Sequence, residues 1–444
     1  MASRPDVRLG RISGAGLSAL AKATAGAPKL ARAGGASEGG QARPERAGRG
    51  AVARSSTSPL LLLLLAALVV APIAQAPPAP GDPLPGLTPV EFELFSIGLE
   101  DFLEVEDAEE GLGPAYNGTS CGGCHNVPAV GGISPVAEVR AGMVDANGNY
   151  SDFDPDAGSL FQLFSIPTHG CQVVIPAEAN VIARRVPIPL FGAGLVEAIS
   201  DETLLALADP LDLDRDGVSG RAPIVEDVAT GDLRVGRFGW KSQQATLIAF
   251  GADAYLNEMG ITSDLFPNEQ SFGISPELFR LCDPIPDPED ILDPATGRRG
   301  IDNFESFLKF LAPVGRGPID DQVRTGELMF DAIGCDACHV PSLETGPSTN
   351  PLFDRRTVPL YSDLLLHAVG TGDGIAQASA APNEVRTPAL WGLRFRRPLL
   401  HDGRAATVSD AIQAHGAEAD LARQGFDDLD PASRTALLAF LGSL

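Results

Sequence analysis

Six cysteines occur in the 444-residue chain, and four of them stand in two copies of one pentapeptide, CGGCH at 121–125 and CDACH at 335–339. A Cys-x-x-Cys pair can cycle between dithiol and disulfide, but that chemistry needs no histidine in the fifth place. A four-cysteine zinc site sets its knuckles about 15 to 20 residues apart, whereas these lie 214 apart. With six Cys and six His available, one such pentapeptide arises by chance in roughly one chain in a thousand. Two copies point to c-type haem attachment. The two thiols add to the vinyl groups of one haem, and the next residue's imidazole binds iron from the proximal side. Cys121, Cys124, Cys335 and Cys338 are then thioether sites, with His125 and His339 as proximal ligands. The expected cofactors are two covalently bound c-type haems.

Cys171 and Cys282 remain. In an oxidising compartment they form a disulfide, and otherwise they are two buried, inert thiols. Four histidines also remain, His169, His367, His401 and His415. An internal repeat ranks them. FGWKSQQATL at 238–247 aligns with LLHDGRAATV at 399–408, which sets Trp240 opposite His401 and Ala254 opposite His415. His169 offers either a further iron ligand or an ordinary loop residue. In DLDRDGVSG, Asp212, Asp214 and Asp216 with Gly217 reproduce the start of a calcium loop. The twelfth loop position is Pro223, where a bidentate Glu belongs, so calcium competes with a plain acidic turn. DANGNY at 145–150 is a weaker version.

Helical spacing in TPVEFELFSIGLEDFLEVED precedes the first pentapeptide, and IDDQVRTGELMFDAIG runs into the second. DNFESFLKFLAP reads as another helix, and DLDPASRTALLAFLGSL begins with Asp430 as N-cap and Pro431 in the first turn. Strand-like alternation is limited to pieces such as CQVVIPAEANVIARRVPIP, so the chain is expected to be mainly α. The formal net charge is −25, although residues 1–76 carry 10 Lys/Arg against 3 Asp/Glu. A surface that acidic repels phosphate backbones, which excludes nucleic acid as a partner. A small redox protein or a neutral solute fits better. The basic region, the apolar LLLLLLAALVVA at 60–71 and the small residues AQA at 74–76 are the three parts of a secretory signal. Export to the periplasm or beyond is therefore expected, with membrane contact only through an uncleaved signal. APPAPGDPLPG reads as an extended linker.

VRTPALWGLRFRRPLLHDGRAATVSDAI, YSDLLLHAVG and GCDACHVPSLETG resemble the C-terminal half of bacterial di-haem cytochrome c peroxidases, relatives of the di-haem oxygenase that matures a tryptophan-derived quinone. GLGPAYNGTSCGGCHNVPAVGG, IARRVPIPLFGAGLVEAI and RFGWKSQQATLIAFGADAYLNEMGITSDLFP are similar to the di-haem oxidoreductases labelled thiol oxidoreductases. The resemblance covers residues 85–444. It implies a di-haem cytochrome c peroxidase-like architecture of two cytochrome c-like haem domains, at 91–312 and 313–444, behind a signal at 1–76 and a linker at 77–90. It also implies roles. His415 stands where the peroxidases carry the sixth ligand of the C-terminal haem, usually Met, and the exchange lowers that haem's potential. Trp240 matches the tryptophan between the haems. Glu258 matches the distal glutamate that moves protons, at an interval from Trp240 two residues shorter than the peroxidase pattern. His367 and His401 are expected to hydrogen-bond around the second haem rather than to bind iron. The implied enzyme is an oxidoreductase, in which the C-terminal haem relays electrons from a small redox protein and the N-terminal haem meets peroxide or another small oxidant. A di-haem electron carrier and an oxygenase acting on an organic or protein substrate are the alternatives.

Overall fold

Two helix pairs of the same design frame the two Cys-x-x-Cys-His segments. In the computed structural model the described residues are 77–155, 157–167, 170–269, 272–282 and 291–444. The expected signal segment and His169 lie outside them. The helices that position the sites are α1 (Pro89–Leu103), α2 (Leu247–Ala254), α3 (Gly300–Phe310), α4 (Asp321–Ala332), α5 (Val408–Gln413) and α6 (Pro431–Leu441).

Thr88 and Glu91 start α1 with a reciprocal capping box and Pro89 takes the first helical position. The buried face of α1 is Phe95, Gly98 and Phe102, and it crosses α3 where a Cβ on Gly98 would overlap the carbonyl oxygen of Asn303. Phe102 packs on Phe307 with ring centroids 4.7 Å apart. The second pair repeats this. Asp320 caps α4 and Asp430 caps α6, with Pro431 next as expected. Gly326 meets the carbonyl of Ala436, and Phe330 packs on Phe440 at 5.2 Å. Glycine and phenylalanine four residues apart thus build each close crossing. Gly326→Ala tests this through the sign of its effect. Helix propensity alone would stabilise by about 1 kcal/mol. The crossing predicts a loss of about 1–3 kcal/mol from overpacking, read by denaturant unfolding.

The internal repeat also has a structural form. Phe238 and Gln244 make an antiparallel bridge before Thr246 caps α2. Leu399 and Ala405 make the equivalent bridge before Thr407 caps α5.

The expectation of a mainly α chain holds only in part, since helix accounts for 31% and strand for 14%. A four-stranded antiparallel sheet is the main addition, made of β1 (Glu138–Val144), β2 (Tyr150–Ser151), β3 (Leu160–Phe161) and β4 (Val181–Arg185), with β1 pairing with the other three. DANGNY is the turn joining β1 to β2. The Asp145 carboxylate accepts from the backbone N–H groups of Asn147 and Asn149, both at 2.8 Å, which stabilises a tight turn. Cys171 and Cys282 are disulfide-bonded across 111 residues. Arg185 and Lys241 both reach Asp373, at 2.7 and 3.1 Å, and so tie the first half of the chain to the second. The described residues belong to one compact unit. Among the described residues no helix is long and apolar enough to cross a membrane.

Candidate functional site

Each pentapeptide begins with a single helical turn, Cys121–Cys124 in the first and Cys335–Ala337 in the second. That turn brings the histidine N–H back to the first cysteine's carbonyl, at 3.0 Å in both copies. His125 Nδ1 lies 2.9 Å from the carbonyl oxygen of Gly132, and His339 Nδ1 lies 3.1 Å from that of Tyr361. A carbonyl only accepts, so Nδ1 carries the proton and Nε2 keeps its lone pair. Burial pushes both imidazoles down to about 4, which keeps them neutral. A neutral imidazole oriented through Nδ1 is the form that binds a metal. Phe102 and Phe330, from α1 and α4, pack against these rings at 6.1 and 6.2 Å.

Both segments open into cavities, of about 180 Å³ beside Cys121, Cys124 and His125, and about 340 Å³ beside Cys335, Cys338 and His339. His415 faces the larger one, with Nδ1 held 2.7 Å from the Ala411 carbonyl, so its Nε2 lone pair is also free. Burial holds its pKa below the ordinary value, and it lines the same cavity as His339. Ala254 occupies the matching position in the smaller cavity and brings no donor atom. His367 faces the larger cavity with both ring nitrogens engaged by acidic partners. Its two ring nitrogens contact Glu418 at 2.9 Å and Asp363 at 2.8 Å.

The smaller cavity carries carboxyl groups instead. Glu258 sits on a π-turn, Tyr255–Met259, that follows α2. The Glu258 carbonyl accepts from the Asn117 N–H at 2.7 Å, and Asn117 Nδ2 donates to Glu258 Oε2, also at 2.7 Å. Burial first, and then the charge on Glu138, push Glu258 up to about 8. Glu138 goes the other way. Burial raises it, but Arg140 at 2.6 Å and Arg185 at 3.9 Å outweigh that and hold it below the ordinary range. Burial pushes Asp253 up to about 6. Glu138, Arg140 and Asp253 were not singled out from the sequence. The alternation of EVR in β1, which turns Glu138 and Arg140 to one face, was the available signal.

Trp240 lines both cavities. Its Nε1 donates to the Val186 carbonyl at 2.9 Å, and its ring stands edge-on to His401 at 6.1 Å. The Val186 N–H in turn donates to the His401 carbonyl at 2.8 Å, so one short segment spans the wall between the sites.

The residues present fit two haems. Each site has a thiol pair and an oriented imidazole, and burial holds the Cys121 and Cys335 thiols neutral, up at about 12. Buried polar atoms without partners also wait on an acidic ligand. Arg185 Nη2 borders the smaller cavity, while Arg396 Nε and His401 Nε2 border the larger. Arg386 and Arg396 meet backbone carbonyls there rather than carboxylates. Carboxylate side chains of a haem would satisfy such groups. Asp212, Asp214 and Asp216 also come together, with ligand oxygens within 4.8 Å of one another. Their carboxylates accept backbone N–H groups of the same loop, at 3.2 Å from Gly217, 3.3 Å from Asp216 and 2.8 Å from Val218.

The family described as "Di-haem oxidoreductase, putative peroxidase" is matched over residues 175–444. Solved structures with similarity include the hydrazine synthase of Kuenenia stuttgartiensis, 14% identical, covering 89% of this chain and 100% of that one, with TM-score 0.38. The diheme peroxidase BthA from Burkholderia thailandensis is 16% identical over 82% of this chain and 87% of that one, with TM-score 0.36. A MauG-like protein associated with microbial copper homeostasis is 17% identical over 63% and 95%, with TM-score 0.29. No curated protein matches the chain.

Proposed function

The chain belongs to the di-haem oxidoreductase family, and from that premise we propose that it is an exported c-type cytochrome that reduces peroxide. Haem would be held through Cys121, Cys124 and His125 in one domain, and through Cys335, Cys338, His339 and His415 in the other. When bound, haem supplies the redox change and the iron at which peroxide is activated. The observation that carries the reading is the unlikeness of the two cavities at matched positions. His415 offers the C-terminal site a second imidazole, whereas Ala254 leaves the N-terminal site with one.

Each residue then has a task. His415 closes the C-terminal site, which suits an electron relay. Glu258, kept protonated near neutrality by burial, stands ready to give a proton to a departing oxygen. Asn117 fixes the direction of that carboxyl. Trp240 offers a ring system that borders both sites. The electron donor we propose is a small redox protein with basic surface charge, complementary to a chain of net charge −25. Calcium at Asp212, Asp214 and Asp216 would have a structural role, pinning the loop that brings Asp216 and Val218 to the larger cavity.

Titrating the haem-loaded, partly reduced protein with hydrogen peroxide and a series of small redox donors tests the function. Turnover coupled to donor oxidation is expected. Donor oxidation by other acceptors with no peroxide reaction would make the chain an electron carrier. The ligand assignment has its own check in the absorption and spin-resonance spectra. His415→Ala should convert one low-spin signal to a five-coordinate one, while His401→Ala leaves it low-spin. An unchanged spectrum in His415→Ala would remove His415 from the iron.

A further inference from the structure

Glu138 and Glu258 both line the N-terminal cavity, the first from β1 and the second from the turn after α2, and the charge of Glu138 is felt at Glu258. Two carboxylates buried in one cavity repel each other, which favours a single proton on the pair. The neighbours decide which carboxyl carries it. Arg140 holds Glu138 with Nε at 2.6 Å and Nη2 at 3.0 Å, and Arg185 Nη1 stands 3.9 Å away. Glu258 receives only the neutral amide of Asn117 from outside the pair. Two guanidinium groups therefore keep the negative charge on Glu138 and leave the proton on Glu258. The other ionisable groups facing this pair are Asp253 on α2 and the thiols of Cys121 and Cys124. Asp253, like Glu258, is pushed up by burial.

We propose that Glu138 and Glu258 work as one acid–base unit in the N-terminal site, with Glu138 the resident base and Glu258 the resident acid. The inference rests on the peroxide reading above and deepens it. A lone Glu258 that is protonated at rest can donate but has no capacity to accept. With Glu138 beside it, the site can take a proton from one peroxide oxygen and give one to the other, and the pair ends with the single proton it began with. Bound haem would supply the two electrons needed to break the O–O bond, and the redox donor would restore them. In sum, one peroxide, two electrons and two protons from solvent give two waters. Glu138 lies within a segment that the sequence repeat does not include, and nothing in the resemblance assigns it a role.

The test uses the haem-loaded protein with isotope-labelled glutamate in infrared difference spectroscopy, together with the rate of the first reaction with peroxide against pH. At neutral pH one buried, protonated glutamate signal is expected, lost in Glu258→Gln and shifted in Glu138→Gln. Glu138→Gln should slow the peroxide step by about 10²-fold at neutral pH. Losing the charge of Glu138 also lowers the Glu258 pKa, so the remaining rate should fall away at lower pH than in the wild type. Glu138→Asp, which keeps the charge, should retain most of the rate. Glu258→Gln should stay slow at every pH. A Glu138→Gln protein with the wild-type rate and pH profile would overturn the proposal, as would a wild-type spectrum with no protonated glutamate. If the infrared signals behave as expected but the wild-type protein ignores peroxide, the function fails and the acid–base role fails with it, while the proton-sharing pair stands.

Discussion

Glu258→Gln is expected to slow peroxide consumption by the haem-loaded protein by about 10²- to 10⁴-fold, the usual weight of a positioned acid or base. The amide keeps the shape of the side chain and can still bond Asn117, so both haems should stay in place. What it loses is the transferable proton. Burial is the first cause of the raised Glu258 pKa, so the wild-type rate should be sustained through neutral pH. It should fall as pH rises through that pKa, where the acid form disappears. Rapid-mixing measurements on the reduced protein read this directly. A Glu258→Gln rate within a few-fold of wild type would assign proton transfer to another group, and Asp253, also raised by burial and facing Arg140, would be the first to examine.

The second large effect separates the two sites. A chain with Cys121→Ala and Cys124→Ala should retain one haem and lose the peroxide reaction altogether. The reverse pair, Cys335→Ala and Cys338→Ala, should also retain one haem, yet keep a single encounter with peroxide while losing sustained turnover with a donor. Mass spectrometry counts the haems and stopped-flow mixing counts the reactions. The outcomes differ because the cavities differ at Ala254 and His415, although each is built from the same helix crossing and the same Cys-x-x-Cys-His turn. Equal behaviour of the two double variants would mean that this difference has no chemical consequence. Trp240→Phe belongs beside them. It keeps a ring at the shared wall but drops the Nε1 bond to Val186, so transfer between the sites should slow more than the first encounter with peroxide.

The parts legible in the sequence were those fixed by local chemistry. The paired pentapeptides need only five residues each, and Asp430 with Pro431 declares its helix within two. The repeat that sets Ala254 opposite His415 was also readable, because both copies keep the capping threonine and the bridge before it. Of the sheet only β4 was legible, inside the strand-like CQVVIPAEANVIARRVPIP. Two of the other strands are two residues long, and β1 is held by partners that include residues more than forty positions away, so local alternation there carried little signal. With β1 went Glu138 and Arg140, whose meeting with Glu258 depends wholly on that long-range pairing. DANGNY was ambiguous for the opposite reason, since a tight hairpin turn and a cation loop both favour small polar and acidic residues.

Carbon monoxide titration of the fully reduced, haem-loaded protein tests the central claim most directly, because the gas needs a vacant iron position and no donor or substrate. The account predicts one equivalent bound per chain. The bound haem should be the one retained when Cys335 and Cys338 are both replaced by alanine, and His415→Ala should raise the count to two. Two equivalents in the wild-type protein, or none, would contradict it.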